Sequence, residues 1–258
     1  MSKPTPAKSD SRRAQLRAAQ IEQAKRAKNK RIAILAVVGV VVIALVAAGA
    51  LLFNRFSNER EARLSDSTPP NATAERNGIV AHPGRAAEGA PLVEVFSDYQ
   101  CPACAQFEAA YGGTLDEMAE AGEIQLVMRT MTFLDRQPNG DSTRAANAAA
   151  CADLTGHYAA YNKAVFDHQI AGAPGGLSDE VLTQTLTNQA GITGAGLDQF
   201  NTCFANTQFD DFVDNANNQA GRDGVTGTPT IRVNGTELDR NQLTPDPNSV
   251  RTMVEQMG

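Results

Sequence analysis

At 258 residues the chain is long for one small domain and too short for two generous ones, and 42% hydrophobic with 20% charged side chains is the composition of a folded protein rather than a low-complexity one. Trp is absent and aromatic residues make up only 5%, so the core is expected to rest on Leu, Val, Ile, Ala, Met and Phe. The net charge of -6 hides a division: residues 1–31 hold ten Lys/Arg against Asp10 and Glu22, and the remainder carries -14.

The basic segment has no apolar stripe and no aromatic residue to stack on bases, so it reads as a solvated arm or an inner-leaflet contact, not a nucleic-acid site. It is followed by "IAILAVVGVVVIALVAAGALLF", residues 32–53, without one charged side chain. As a helix this run spans about 33 Å, enough for a hydrocarbon core of roughly 30 Å. Lys28, Lys30 and Arg31 abut its start, and the charges beyond Phe53 are mixed in sign. The positive-inside rule therefore predicts a single transmembrane helix with residues 1–31 cytoplasmic and the rest extracytoplasmic. A cleaved signal peptide ending at Ala48-Gly49-Ala50 is the alternative, and it sends the body of the protein to the same side. Residues 54–76, mixed in charge with a Pro-Pro pair, read as a flexible linker.

From Asn77 the pattern is that of a compact α/β domain, residues 77–258. "LVEVF" from Leu92 predicts a central strand. In the segment after it, Phe107, Tyr111, Leu115 and Met118 share one helix face, and Gly112-Gly113 in its middle predicts a kink or a close approach. "EIQLVMRTMTF" is a second strand. At about 139–222 only helical patterns follow. Ser178 is placed to cap one of these helices at its N-terminus and Gly191 at its C-terminus. "TPTIRVNGTEL" predicts a hairpin turning at Asn234-Gly235, and a last helix follows Pro247. The fold class is α/β with an inserted all-helical subdomain.

Four cysteines, Cys101, Cys104, Cys151 and Cys203, stand in this domain. A zinc ribbon needs two close pairs, but here one close pair lies 47 residues from the next Cys, and His82, His157 and His168 fit no ligand spacing. No metal and no cofactor is expected, and the two other histidine-bearing positions after the pair, His157 and His168, read as solvated or capping residues. The pair sits between a strand and a helix in "SDYQCPACAQF". This puts Cys101 at a helix N-terminus, where free N–H groups and the dipole favour a thiolate, with Pro102 at the first helical position and Ala103 completing the turn. Cys104 lies one turn on and should be less exposed. A stabilised Cys101 thiolate makes the disulfide a better oxidant. Glu94 interrupts an otherwise apolar strand, and burial would raise its pKa; facing solvent at a strand edge is the alternative.

Together "SDYQCPAC", "AANAAACA", "GLDQFNTCF" and "GVTGTPTIRVNG" resemble the DsbA-like branch of the thioredoxin superfamily, in its membrane-anchored actinobacterial form. The resemblance spans roughly residues 77–258 and implies a thioredoxin fold. It implies that Pro229 is cis against the active pair, with the backbone of Thr228 offered to substrate; an ordinary trans proline starting an edge strand is the alternative. It also implies that Glu94 exchanges a proton with Cys104. A structural disulfide between Cys151 and Cys203 is implied too, with two unpaired buried thiols as the other possibility. The implied activity is thiol–disulfide exchange with exported proteins bearing free thiols. Reoxidation would come from a quinone-linked membrane partner of the DsbB or vitamin K epoxide reductase type. A tethered reductase or isomerase of the same fold, or a non-catalytic chaperone module, are the competing readings. Reductases of this family usually carry Trp before the pair and Pro before its second cysteine, where this chain has Gln100 and Ala103. Oxidases often have His at the position of Ala103, so the sequence departs from both patterns.

Overall fold

The computed structural model describes residues 39, 45–50, 67–173 and 175–258. The chain divides into two units, Met1–Glu61 and Ala62–Gly258. In the first, residues 45–50 are helical and exposed. The transmembrane span expected at residues 32–53 lies mostly outside the described residues, among which no helix is long and apolar enough to cross a membrane. The basic segment 1–31 lies outside them entirely.

The second unit is built on a five-stranded sheet in the order β1-β3-β2-β4-β5. β2 (Leu92–Asp98) is central, parallel to β3 (Gln125–Met131) and antiparallel to β4 (Thr230–Val233). β1 (Ile79–Val80) and β5 (Thr236–Glu237) close the two edges antiparallel. Asn234 and Gly235 join β4 to β5 with φ of 49° and 81°, the left-handed pair that a two-residue hairpin turn requires.

Side chains of β2 alternate between two cores. Val93 and Val95 face the main core with Cys104, Leu115, Leu126 and Met128. Phe96 faces a second, small cluster with Met131, Ala220 and Val225. α1 (Pro102–Phe107) follows β2, passes through a π-helical turn (Glu108–Gly112) and continues as α2 (Gly113–Glu120). The glycine pair expected to mark a kink or a close approach stands at a π turn, and Gly112 makes a close approach there. A Cβ on Gly112 would stand 2.6 Å from the Glu108 Cδ, so the glycine is what admits that carboxyl.

Between β3 and β4 lies the helical insertion: α3 (Asp141–Asp153), α4 (Tyr158–Ile170), a π turn (Val181–Thr185) running into α5 (Leu186–Gln189), α6 (Gly194–Ala205) and α7 (Asp210–Arg222). α8 (Asn248–Met257) ends the chain. The Ala-rich α3 is buried almost all round, which its small side chains allow by letting neighbours approach closely. Its buried Asn147 is satisfied by the Phe209 N–H, which donates to Oδ1 at 3.0 Å. Ser178 Oγ accepts from Val181 N at 3.4 Å, and Gly191 ends α5 with φ 76°, so both caps stand where the sequence puts them.

Two expectations need correction. The predicted linker 54–76 is not free at its end: Asn71 donates from N (2.8 Å) and Nδ2 (2.7 Å) to the Asp153 carboxylate, and Ala72 pairs with Ile79. The Arg76 carbonyl accepts from Asn215 Nδ2 at 2.8 Å. The folded unit thus starts before Asn77, because polar side chains of α3 and α7 satisfy its backbone. His168, expected to be solvated, is buried.

Cys151 of α3 and Cys203 of α6 are joined in a disulfide with Cα atoms 5.8 Å apart and 52 residues between them in sequence. Closing a loop of that length stabilises the fold by about 4 kcal/mol through the unfolded chain. Replacing both cysteines by Ala should lower unfolding free energy by about that amount in guanidinium titrations.

Candidate active site

β2 ends at Asp98, whose backbone oxygen accepts from Cys101 N at 2.9 Å and so turns the chain into α1. Cys101 is the N-cap, with extended backbone (φ -81°, ψ 115°), and Pro102 occupies the first helical turn. The N–H groups of Cys104 and Ala105 both return to the Cys101 carbonyl, at 3.1 and 3.2 Å. Pro102 and Ala103 are exposed, and Cys104 is buried beneath them. Both cysteines are free thiols.

The Asp98 carboxylate is fully buried. It accepts from Gln100 N (2.8 Å), Ser142 Oγ (2.6 Å) and Leu134 N (3.2 Å). Burial outweighs these bonds and raises its pKa. Asp135 binds the same cluster: it accepts from Gln100 Nε2 at 2.7 Å and from the N–H groups of Ser142 (2.8 Å) and Thr143 (2.9 Å), at the start of α3. Asp98 is a turn residue, and with Asp135 it ties three segments to the turn before Cys101, which the sequence pattern does not show. The acids, Gln100 and Ser142 are dispersed over 45 residues, so no local pattern signals them.

Across the mouth of the pair lies the Thr228-Pro229 peptide, which is cis. The Cys101 thiol donates to the Thr228 carbonyl at 3.6 Å. The structure therefore brings together Cys101, Cys104, Pro102, Ala103, Thr228 and Pro229. Burial works to raise the Cys101 pKa, but hydrogen bonding from the Thr228 side chain, the Cys104 backbone and thiol, and the Ala103 backbone holds it below the ordinary thiol value. Burial pushes Cys104 the other way, up to about 12. One sulfur is thus ready to be a thiolate and its neighbour is held as a thiol.

Glu94 is buried, as expected for an acid on a central strand, but its partner is different. Its carboxylate accepts from Arg129 Nε at 2.8 Å and is also paired with Arg129 Nη2. Strand alternation puts it on the face of Phe96, whose ring stacks under the guanidinium groups of Arg129 (5.1 Å) and Arg232 (5.3 Å). Cys104 belongs to the core on the opposite face. The expected proton exchange between Glu94 and Cys104 is therefore not supported by geometry: Glu94 is one residue out of phase with Val93 and Val95, which share the core of Cys104.

The family model described as thioredoxin matches residues 85–255. The chain belongs to the thioredoxin family. Among solved structures, this thioredoxin-family chain is similar to the MdbA protein of Actinomyces oris, described as a thiol-disulfide oxidoreductase. That match has 18% identity and a TM-score of 0.64, covering 74% of this chain and 92% of the other. The MdbA protein of Corynebacterium diphtheriae, with the same description, matches at 23% identity and a TM-score of 0.58 over 74% and 94% of the two chains. The reduced DsbA of Mycobacterium tuberculosis matches at 23% and 0.52 over 70% and 100%. At these identities the likeness is one of fold: a thioredoxin-like sheet with a helical insertion. A search of curated proteins finds no significant match.

The two thiols should differ in reactivity. Iodoacetamide is expected to alkylate Cys101 of the reduced protein at neutral pH and to spare Cys104. Because the Cys101 pKa is depressed, its rate should rise along a titration with a midpoint below the free-cysteine value of about 8.5. Peptide mapping by mass spectrometry across pH reads both quantities.

Proposed function

We propose that the protein is an extracytoplasmic thiol–disulfide oxidoreductase that introduces disulfides into exported proteins through Cys101 and Cys104. What carries this reading is the placement of the two sulfurs: Cys101 caps α1 against the Thr228 carbonyl and is held below the ordinary thiol value, while Cys104 is buried beneath it and pushed up to about 12. The printed descriptions of the MdbA structures, thiol-disulfide oxidoreductases of the same fold, support it.

In the oxidised enzyme a substrate thiolate attacks the Cys101 sulfur. The Cys101–Cys104 bond breaks, Cys104 leaves with the electron pair and takes up a proton, and a mixed disulfide forms between substrate and Cys101. A second substrate thiolate attacks the substrate sulfur of that mixed disulfide, and Cys101 departs as a thiolate. The substrate has lost two electrons and the enzyme pair has gained them. The hydrogen bonds that depress the Cys101 pKa make it a good leaving group in the second step. Thr228 and Pro229 flank the sulfur and offer main-chain groups to an extended substrate segment. The reaction uses no cofactor in this chain. Return of the pair to the disulfide falls to a quinone-linked membrane reoxidase of the DsbB or vitamin K epoxide reductase type. The apolar run 32–53 supports a single-pass anchor with residues 1–31 in the cytoplasm and the catalytic domain outside.

Stabilising the Cys101 thiolate stabilises the reduced pair, so the equilibrium potential against glutathione should lie well above the roughly -270 mV of thioredoxin. A value close to thioredoxin's overturns the oxidase direction and favours the tethered reductase. Cys101→Ser should abolish oxidation of a reduced test protein, whereas Cys104→Ser should accumulate a mixed disulfide at Cys101. Failure of the unsubstituted protein to oxidise the test protein would leave only a binding or chaperone role.

A further inference from the structure

A cavity of about 760 Å³ lies between the sheet, the π turn after α1 and the start of α4, and neither active-site cysteine lines it. Its floor is apolar: Val95, Leu126 and Met128 from the sheet and Leu115 from α2. Apolar walls around a few convergent polar groups, at this volume, are the common form of a small-molecule site.

The polar group at its wall is Glu108, one helical turn beyond Cys104. The missing Cβ of Gly112 gives its carboxyl room. Among the described residues its one hydrogen bond comes from Asn162 Nδ2, at 3.2 Å. Tyr99 Oη donates to Asn162 Oδ1 at 2.8 Å, which fixes that amide with its NH₂ toward Glu108. Glu108 is thus held as an acceptor, in a setting that offers it a single neutral donor. The other acids at the cavity already have partners: Asp116 of α2 is 2.6 Å from His82 Nε2, and Asp167 of α4 is 2.6 Å from Lys163 Nζ. Tyr158, His157 and Lys163 also line the cavity, as does Arg85. His157 Nδ1 is occupied by the Thr155 carbonyl at 2.6 Å.

We propose that this cavity binds a small organic monocation with a flat apolar body, its charged group received by the Glu108 carboxylate and its body by the Val95–Leu115–Leu126–Met128 floor. An amidinium or guanidinium suits the carboxylate best, since it offers two parallel N–H donors. An anion would bring a second negative charge against Glu108, and a neutral amide would leave the carboxylate without a charged partner at hydrogen-bond distance. The site is separate from the thiol chemistry and its occupancy does not depend on the redox reading above.

Burial, with the charges of Asp116 and Asp167 adding to it, pushes the empty-site Glu108 up to about 7, and Lys163 acts against them. A bound cation favours the ionised carboxyl, so affinity should rise with pH across neutrality. Between pH 6 and pH 8 the ionised fraction grows about tenfold, and so should affinity.

The test uses benzamidine, charged throughout this range, with benzamide and benzoate as neutral and anionic isosteres. Titration of each into the full chain, followed by calorimetry, should show saturable binding by benzamidinium alone, about tenfold tighter at pH 8 than at pH 6. Glu108→Gln, near-isosteric and able to keep a contact to Asn162, should weaken benzamidinium binding at least tenfold and flatten its pH dependence. A residual slope in that variant would point to His82 and Asp116 instead and overturn the assignment to Glu108. Equal binding by benzamide or benzoate, unchanged binding in the variant, or no saturable binding by millimolar benzamidinium would also overturn the proposal.

Discussion

A reactive thiol at a helix N-terminus works only if the turn that aims it is held still, and here that task falls to the carboxylate of Asp98. Three donors from three segments converge on it: the Gln100 N–H of its own turn, the Leu134 N–H of the loop after β3, and the Ser142 hydroxyl of α3. The turn before Cys101, the loop after β3 and the first insertion helix therefore share one anchor. Each donor bond to a buried carboxylate also offsets part of the cost of burying it. Without them the acid would have to be neutral or the turn would open to water.

The sheet keeps two kinds of chemistry apart. On one face β2 contributes Val93 and Val95 to the apolar core that buries Cys104, and desolvation there holds that sulfur as a thiol. On the other face Glu94, Arg129 and Arg232 gather around Phe96, an ionic cluster whose charges pair with each other or with an aromatic ring. One strand can serve both because its side chains alternate. The alternation also explains why an acid one residue out of phase with the valines cannot serve the cysteine.

Much of this could be read from the sequence. The strand, CPAC, helix order, the Asn234-Gly235 turn and the helical stretch between the sheet halves each have local signatures: period, caps and left-handed turn residues. The cis Thr228-Pro229 peptide and the Cys151–Cys203 pairing came only from resemblance, since no spacing rule yields them. What escaped was long-range or phase-dependent. β1 is two residues long and exists because β3 offers it an edge. The docking of residues 71–76 depends on Asp153, Asn215 and Gln219, far away in sequence. The acid of interest in the helix, Glu108, sat unread beside the apolar stripe at Phe107 and Tyr111, because its meaning lies in the cavity and in the absence of a Cβ at Gly112.

The clasp between Asn71 and Asp153 also fixes where mechanical load enters the domain. Tension along the residues that precede Asn71 is delivered to the last turn of α3, two positions beyond the half-cystine at 151, and from there across a covalent crosslink into α6. The rest passes through the Ala72–Ile79 pair to β1 and reaches β2 only by way of β3. A pull on this end of the folded unit thus loads the stapled insertion and the sheet edge before the turn that carries Cys101.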